Sequence, residues 1–215
     1  MACGSSGITK ASLKLTCRHP TTEQGAKSHL RREMRQILAE MSADLAARGS
    51  DHVCSSLQAK SAWESASSVM LYVPMKGEVD ILPLIQKGVT SGKLVCLPRF
   101  DADLYSYSAA LVEPSQSELV AGQFGVLEPA PAAKVMPLNQ LDLVLVPGLA
   151  FDERGYRLGR GRGFYDQMLA SVVGIKCGVA FDQQLLSSVP AEPHDVLMST
   201  LLTPTRWLTF GRCAS

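Results

Sequence analysis

The densest chemistry in the sequence is a run of seven residues, Arg157 to Gly163, in which Arg157, Arg160 and Arg162 stand among Gly159, Gly161 and Gly163 around Leu158. Glycines at this spacing let backbone N–H groups approach a ligand without obstruction by Cβ, and the guanidinium groups add charge-assisted donors. Phe164, Met168 and Leu169 follow at helical spacing, so the loop feeds the N-terminus of a helix, with its free donors and positive dipole end. The chemistry this suits is phosphate binding. A helix dipole contributes only about 0.3–1 kcal/mol near the surface, against roughly 1.5–3 kcal/mol for each hydrogen bond from a charged group, so the arginines dominate affinity.

Other residues could act with this loop. Lys27, Arg31 and Arg35 stand four apart and form a basic stripe on a helix, which is a solvated face unless it meets a polyanion. Glu78 and Asp80 sit in the loop beyond a strand, the position where α/β sheets bind ligands. Asp166 with Asp195 offers a pair of hard oxygen ligands for magnesium, whereas His194 reads as a hydrogen-bonded structural histidine.

Several chemistries are excluded. The glycine pattern continues with Phe164 where a dinucleotide fingerprint needs a further glycine, and no acid ends a second strand at the expected distance. A Walker sequence is absent. The Arg-Gly-Arg-Gly-Phe run is single and flanked by a strand and a helix, unlike repetitive RNA-binding segments. No Ser-His-Asp or Cys-His constellation stands out. The six cysteines form no C-x-x-C pair, which indicates a reducing compartment and no zinc.

The elements that must carry these residues alternate strand and helix. Leu30, Met34, Ile37, Leu38, Met41 and Leu45 recur at helical spacing and predict one amphipathic helix from Ala26 that ends before Gly49. Ser50 or Asp51 then caps a second helix with Val53, Leu57 and Trp63. Ser68 to Val73 reads as a strand, Ile81 to Ser91 as a helix and Lys93 to Pro98 as a parallel strand. Tyr105, Tyr107, Ala109 and Leu111 alternate as in an edge strand or hairpin, and the irregular segment through Gly122, Gly125, Pro129 and Pro137 is a candidate cover for a ligand. Leu141 to Val146 is an apolar run that suits a parallel strand buried on both faces; Asp152 and Gly155 turn the chain beyond it. Ile175 to Ala180 is a further strand, followed by a short turn or helix and the loop Ala191 to Asp195. The fold expected is α/β, three-layered and Rossmann-like, with a mainly parallel sheet and helices on both faces.

The chain has 215 residues and a formal net charge of +1, enough for one domain over 26–215 and too balanced for a general nucleic-acid binder. No apolar run approaches the roughly 20 residues of a membrane helix. Residues 1–25 hold Ser, Thr and basic residues with a single acid, Glu23, as expected of a poorly ordered extension or a transit segment. The expected location is cytoplasmic, or mitochondrial or plastid if that segment is a transit peptide.

The run PGLAFDERGYRLGRGRGFYDQML resembles the signature of the 5-formyltetrahydrofolate cyclo-ligase family, also called methenyltetrahydrofolate synthetase, and the likeness extends through Lys27 to Arg31, Tyr72 to Asp80, Gly125 to Pro129 and Gln184 to Asp195. The resemblance implies conversion of 5-formyltetrahydrofolate to 5,10-methenyltetrahydrofolate with ATP as co-substrate and Mg²⁺, by a monomer. It implies that Lys27, Arg31, Arg157, Leu158, Gly159, Arg160, Gly161, Arg162, Gly163, Phe164 and Tyr165 hold the nucleotide. Val73, Glu78 and the Arg160 to Phe164 loop would bind the folate, Asp166 and Asp195 the metal, and Arg160, Arg162 and Tyr165 would carry catalysis. Many members have Tyr where Arg160 and Phe164 stand here, so this chain gains a cation at the first position and loses a phenol at the second. Two rival functions follow from weaker readings: a catalytically silent folate- or nucleotide-binding relative, and a general phosphate-ester or nucleotide-binding enzyme.

Overall fold

The computed structural model describes residues 23–103, 105–112 and 119–211. The segment read as an extension or transit peptide falls outside these, apart from Glu23–Gly25, which already belong to the first helix.

Eight strands form the main sheet: β1 Ser68–Met70, β2 Leu94–Asp101, β3 Ser106–Leu111, β4 Val135–Met136, β5 Leu143–Pro147, β6 Ile175–Val179, β7 Thr200–Leu202 and β8 Trp207–Thr209. Their spatial order is β8, β7, β6, β5, β1, β2, β3, β4. The five central strands are parallel, and β8, β3 and β4 extend the two edges antiparallel. This is the mainly parallel α/β sheet that the alternating elements predict.

Side chains alternate across the sheet and so define two cores. Leu143 and Leu145 of β5 face a core shared with α1 Glu23–Glu40, α2 Ala43–Gln58, α3 Ser61–Glu64 and α4 Leu82–Thr90, through residues such as Met34, Leu57, Trp63 and Leu84. Val144 and Val146 face the other core, closed by Met168 and Leu169 of α5 Phe164–Ala170. Among the described residues, four helices on one face and one short helix on the other make the three layers.

The single helix predicted from Ala26 to before Gly49 is two helices. The chain breaks at Ser42, whose hydroxyl accepts from Leu45 N and caps α2. Gly49 lies inside α2, and neither Ser50 nor Asp51 is a cap. A Cβ on Gly49 would stand 3.1 Å from the Phe181 ring, so glycine is there for close packing and not to end a helix. The apolar period continues past the break only through Leu45, which is 42% exposed and does not belong to the buried face.

Site placement follows from the strand order. β1 leads through α4 to β2 on one side, whereas the chain later returns to place β5 on the other side of β1. The order therefore reverses between β1 and β5, the point at which an open parallel sheet leaves a crevice at its carboxyl ends.

Candidate active site

A cavity of about 710 Å³ lies at that reversal, lined by Val73 beyond β1, by Pro147 and Gly148 ending β5, and by the glycine–arginine loop. Every residue assigned above to nucleotide, folate or metal lines it: Lys27, Arg31, Val73, Glu78, the whole of Arg157 to Tyr165, Asp166 and Asp195. Asp80 does not belong; its Oδ1 accepts from Leu82 N at 3.0 Å at the start of α4.

The loop is built by the chain around it. Ala150–Asp152 pairs antiparallel with Arg157–Leu158, and the buried Asp152 carboxylate accepts from the N–H groups of Arg154, Tyr156 and Val189, which fixes the turn read from Asp152 and Gly155. Buried Gln184 donates to Gly148 O at 2.7 Å and locks the end of β5 to the segment after β6. Gly161 and Gly163 have φ of 106° and 73°, left-handed backbone that an L side chain resists, and Gly163 caps α5.

The basic stripe of α1 meets this loop. Arg31 Nε donates to Gly159 O at 2.9 Å. Burial, and then the neighbouring Arg35, hold its guanidinium below the usual arginine range. Lys27, buried, donates to Asp195 Oδ2 at 2.6 Å and Glu192 Oε2 at 2.7 Å. Burial opposes its charge, but the hydrogen bonds from Lys27 to Asp195 and Glu192 outweigh this, so its pKa is raised. Asp195 is the mirror case: burial would raise its pKa, and the bonds from Lys27 and from Glu192 N lower it below the ordinary carboxylate range.

The other charged residues are also paired. Arg160 donates through Nε and Nη2 to Glu78 Oε1 at 3.1 and 2.8 Å, while Glu78 Oε2 accepts from Met75 N. Arg157 is buried, donates to Asp166 Oδ2 at 3.1 Å and lies over the Tyr165 ring. It therefore ties the strand before the loop to the helix after it as well as lining the cavity. Burial, with Glu78 nearby, raises the pKa of Tyr165, so its phenol is a hydrogen-bond donor and not a base near neutral pH.

Carboxylates are available for a cation. Glu192, His194 and Asp195 each present a ligand atom within 4.8 Å of the others. Hard carboxylate oxygens suit Mg²⁺, which keeps several waters and needs only one or two acids. Asp166 reaches this corner through a long contact from Val196 N to its Oδ1, 3.5 Å. Of the expected pair, Asp195 belongs to this cluster with Glu192 and His194, and Asp166 lies outside it.

Sequence reasoning missed an aromatic wall and an acid. Phe164 is packed against Phe100, Tyr105 and Tyr107 with ring centroids 5.1, 5.2 and 5.8 Å away. The residue without a phenol is thus part of an apolar cluster on the β2–β3 hairpin. Glu128, beside it, is buried in the cavity wall. Two signals were available, the family likeness over Gly125 to Pro129 and a lone acid in the apolar stretch from Val126 to Ala133.

A family model described as the 5-formyltetrahydrofolate cyclo-ligase family matches residues 23–204. The chain belongs to the 5-formyltetrahydrofolate cyclo-ligase family. It is thereby an enzyme of the ligase class in folate one-carbon metabolism. The span matched by the cyclo-ligase model starts with α1 and holds every cavity residue named above. A 5-formyltetrahydrofolate cyclo-ligase of Mycolicibacterium smegmatis is 39% identical over 147 residues, 66% of this chain and 76% of the relative. One from Escherichia coli is 37% identical over 149 residues, 66% of this chain and 80% of the relative. The NMR structure of Aquifex aeolicus 5,10-methenyltetrahydrofolate synthetase superposes with a TM-score of 0.78 at 33% identity, covering 88% of this chain and 96% of that one. The three-layer sheet is thus a cyclo-ligase fold.

Proposed function

We propose that this enzyme converts 5-formyltetrahydrofolate and ATP to 5,10-methenyltetrahydrofolate, ADP and phosphate, with Mg²⁺, working as a single copy. The observation that carries the proposal is the convergence in one cavity of a cationic corner, formed by α1 and the glycine–arginine loop, with an aromatic wall that includes Tyr107 and Phe164. The first suits a polyphosphate and the second a flat heterocycle.

The formyl group is amide-like and its oxygen a poor leaving group. That oxygen attacks the γ-phosphorus, the bond to the β,γ-bridging oxygen breaks and ADP leaves, giving a phosphorylated imidate. The N10 lone pair then adds to the formyl carbon, the C–O bond breaks to release phosphate, and N10 loses its proton. No enzyme nucleophile is required. Lys27 and Arg31 hold the nucleotide at the loop; Arg160, Arg162 and the backbone N–H groups around Gly161 face the charge that develops on the transferring group. Tyr165 donates a hydrogen bond. Asp166, Asp195 and Glu192 would hold Mg²⁺, which supplies charge neutralisation to phosphate oxygens. Val73 and Glu78 border the folate.

Purified protein with 5-formyltetrahydrofolate and Mg-ATP is expected to form a product absorbing in the near ultraviolet, and none when ATP is omitted. A folded protein that consumes no ATP with this substrate overturns the proposal.

A further inference from the structure

Lys27 lines the cavity, yet its ammonium is already spent on two acids, Asp195 Oδ2 at 2.6 Å and Glu192 Oε2 at 2.7 Å. These are two of the three residues whose ligand atoms cluster for a cation. The same carboxylates are thus offered to a resident ammonium and to a metal ion.

The two uses conflict at the level of atoms. Asp195 Oδ2 accepts from Lys27 Nζ and, at 2.7 Å, from Glu192 N. The Glu192 oxygen that stands 3.9 Å from His194 Nε2 is the one that Lys27 holds. Lys27 reaches these acids from the interior, its side chain 6% exposed, whereas His194 is 72% exposed on the solvent side.

Charge points the same way. Two acids against one ammonium leave a single net negative charge, and Arg31, on the next turn of α1, is within electrostatic reach of both acids. A divalent ion arriving here meets a cation a few ångströms away, in a partly buried setting where salt screens little. Magnesium, which parts with its waters reluctantly, is held weakly by such a corner.

A phosphate changes this balance. An ammonium has three N–H donors, and the two acids take two of them. The third can reach a phosphate oxygen in the cavity, and the flexible four-carbon stem lets Nζ follow that oxygen without movement of α1. Once Nζ is drawn away, both carboxylates regain their full charge for a metal.

We propose that Lys27 is a place-holding cation, which occupies Asp195 and Glu192 until a nucleotide phosphate takes its ammonium, so that this corner binds a divalent ion tightly only after the nucleotide has arrived. The proposal rests on the nucleotide and metal readings given above, and adds to them an order of binding and the residue that imposes it.

The first test uses Mn²⁺ without nucleotide, with binding read from the electron paramagnetic resonance of the free ion. Lys27→Met fills the buried site without the charge. It is expected to bind Mn²⁺ roughly ten- to a hundred-fold tighter than the wild type, the range for removing one charge a few ångströms from a divalent ion in a partly screened setting. Adding Asp195→Asn to Lys27→Met is expected to abolish the gain. A folded Lys27→Met that binds no tighter, or a gain that survives Asp195→Asn, overturns the proposal.

A second measurement leaves the pair intact. The ¹⁵Nζ–¹H resonance of Lys27 in the wild type, identified by its loss in Lys27→Arg, is expected to shift with ATP in EDTA and to stay in place with Mg²⁺ alone. A resonance that Mg²⁺ alone moves, or one that stays in place while calorimetry shows ATP bound, overturns the order of binding. Absence of ATP binding to the wild type instead removes the nucleotide reading itself, and the proposal with it.

Discussion

The Arg160 guanidinium and the Glu78 carboxylate, 82 residues apart in the chain, form a two-nitrogen hydrogen bond to one oxygen, 2.8 Å at the shorter contact. Arg160 is 36% exposed and Glu78 only 7%. Solvent screening therefore limits the pair to about 0.5–1 kcal/mol of stability, but it orients both residues on the side of the cavity proposed for the folate. Arg160→Ala and Glu78→Ala should show a coupling of that size in urea denaturation. Each should also raise KM for 5-formyltetrahydrofolate more than KM for ATP.

Arg162 lies on the same loop and is exposed. Arg162→Ala should lower kcat by roughly ten- to a thousand-fold, the cost of one electrostatic donor. Its melting temperature should stay near that of the parent. Equal loss of activity and of melting temperature would show a structural role instead.

Gly161 combines a φ of 106° with a position 3.4 Å from Arg31 Cζ for any added Cβ. Gly161→Ala should introduce about 1–3 kcal/mol of backbone strain. Because the added methyl would press on Arg31, proposed to hold the nucleotide, KM for ATP should rise well beyond KM for the folate, measured by steady-state kinetics.

Lys27 and Asp195 have a pH signature. Lys27 has a raised pKa, so its share of stability is complete below the unfolded lysine value and lost as pH rises through the folded one. Asp195 has a depressed pKa, so its share is present above the unfolded carboxylate value and lost as pH falls through the folded one. The stability difference between wild type and Lys27→Met should be level from about pH 5 to 9 and shrink on both sides. Denaturant titrations across pH measure it.

Cys54, Cys96 and Cys177 are buried, and burial pushes their thiols up to about 11, 12 and 12. In a variant with Cys3, Cys17 and Cys213 changed to Ser, a thiol reagent at pH 8 should not react until the protein unfolds. Rapid reaction in native buffer would show that these thiols are reachable.

The proposed chemistry moves one oxygen. With ¹⁸O in the formyl group, mass spectrometry should find the label in released phosphate. Label left in water or in unreacted folate alone would exclude the imidate phosphate.

Most of the parallel sheet was legible because strands buried on both faces read as unbroken apolar runs, as Leu143 to Val146 does. The cationic loop was legible because glycines and arginines cannot alternate cheaply in a core. Ser42 was hidden because Leu45, an exposed leucine, continues the hydrophobic period past the break. Glu128 was hidden for a different reason. Its burial depends on Phe100 and Gly122, which are local in space and scattered in sequence.

The contact between Lys27 and Asp195 also sets a schedule. At ordinary translation speeds the 168 positions from Lys27 to Asp195 take about ten to thirty seconds to synthesise. Throughout that interval the basic face of α1 is made and its acidic partners are not, so a nascent chain carries a bare cationic helix among ribosomal polyanions. Any product that stops before Glu192 keeps most of the sheet but lacks the corner that neutralises Lys27. Activity should therefore appear late and all at once during synthesis, as the arrival of the last loop turns a sticky helix into half of the proposed nucleotide site.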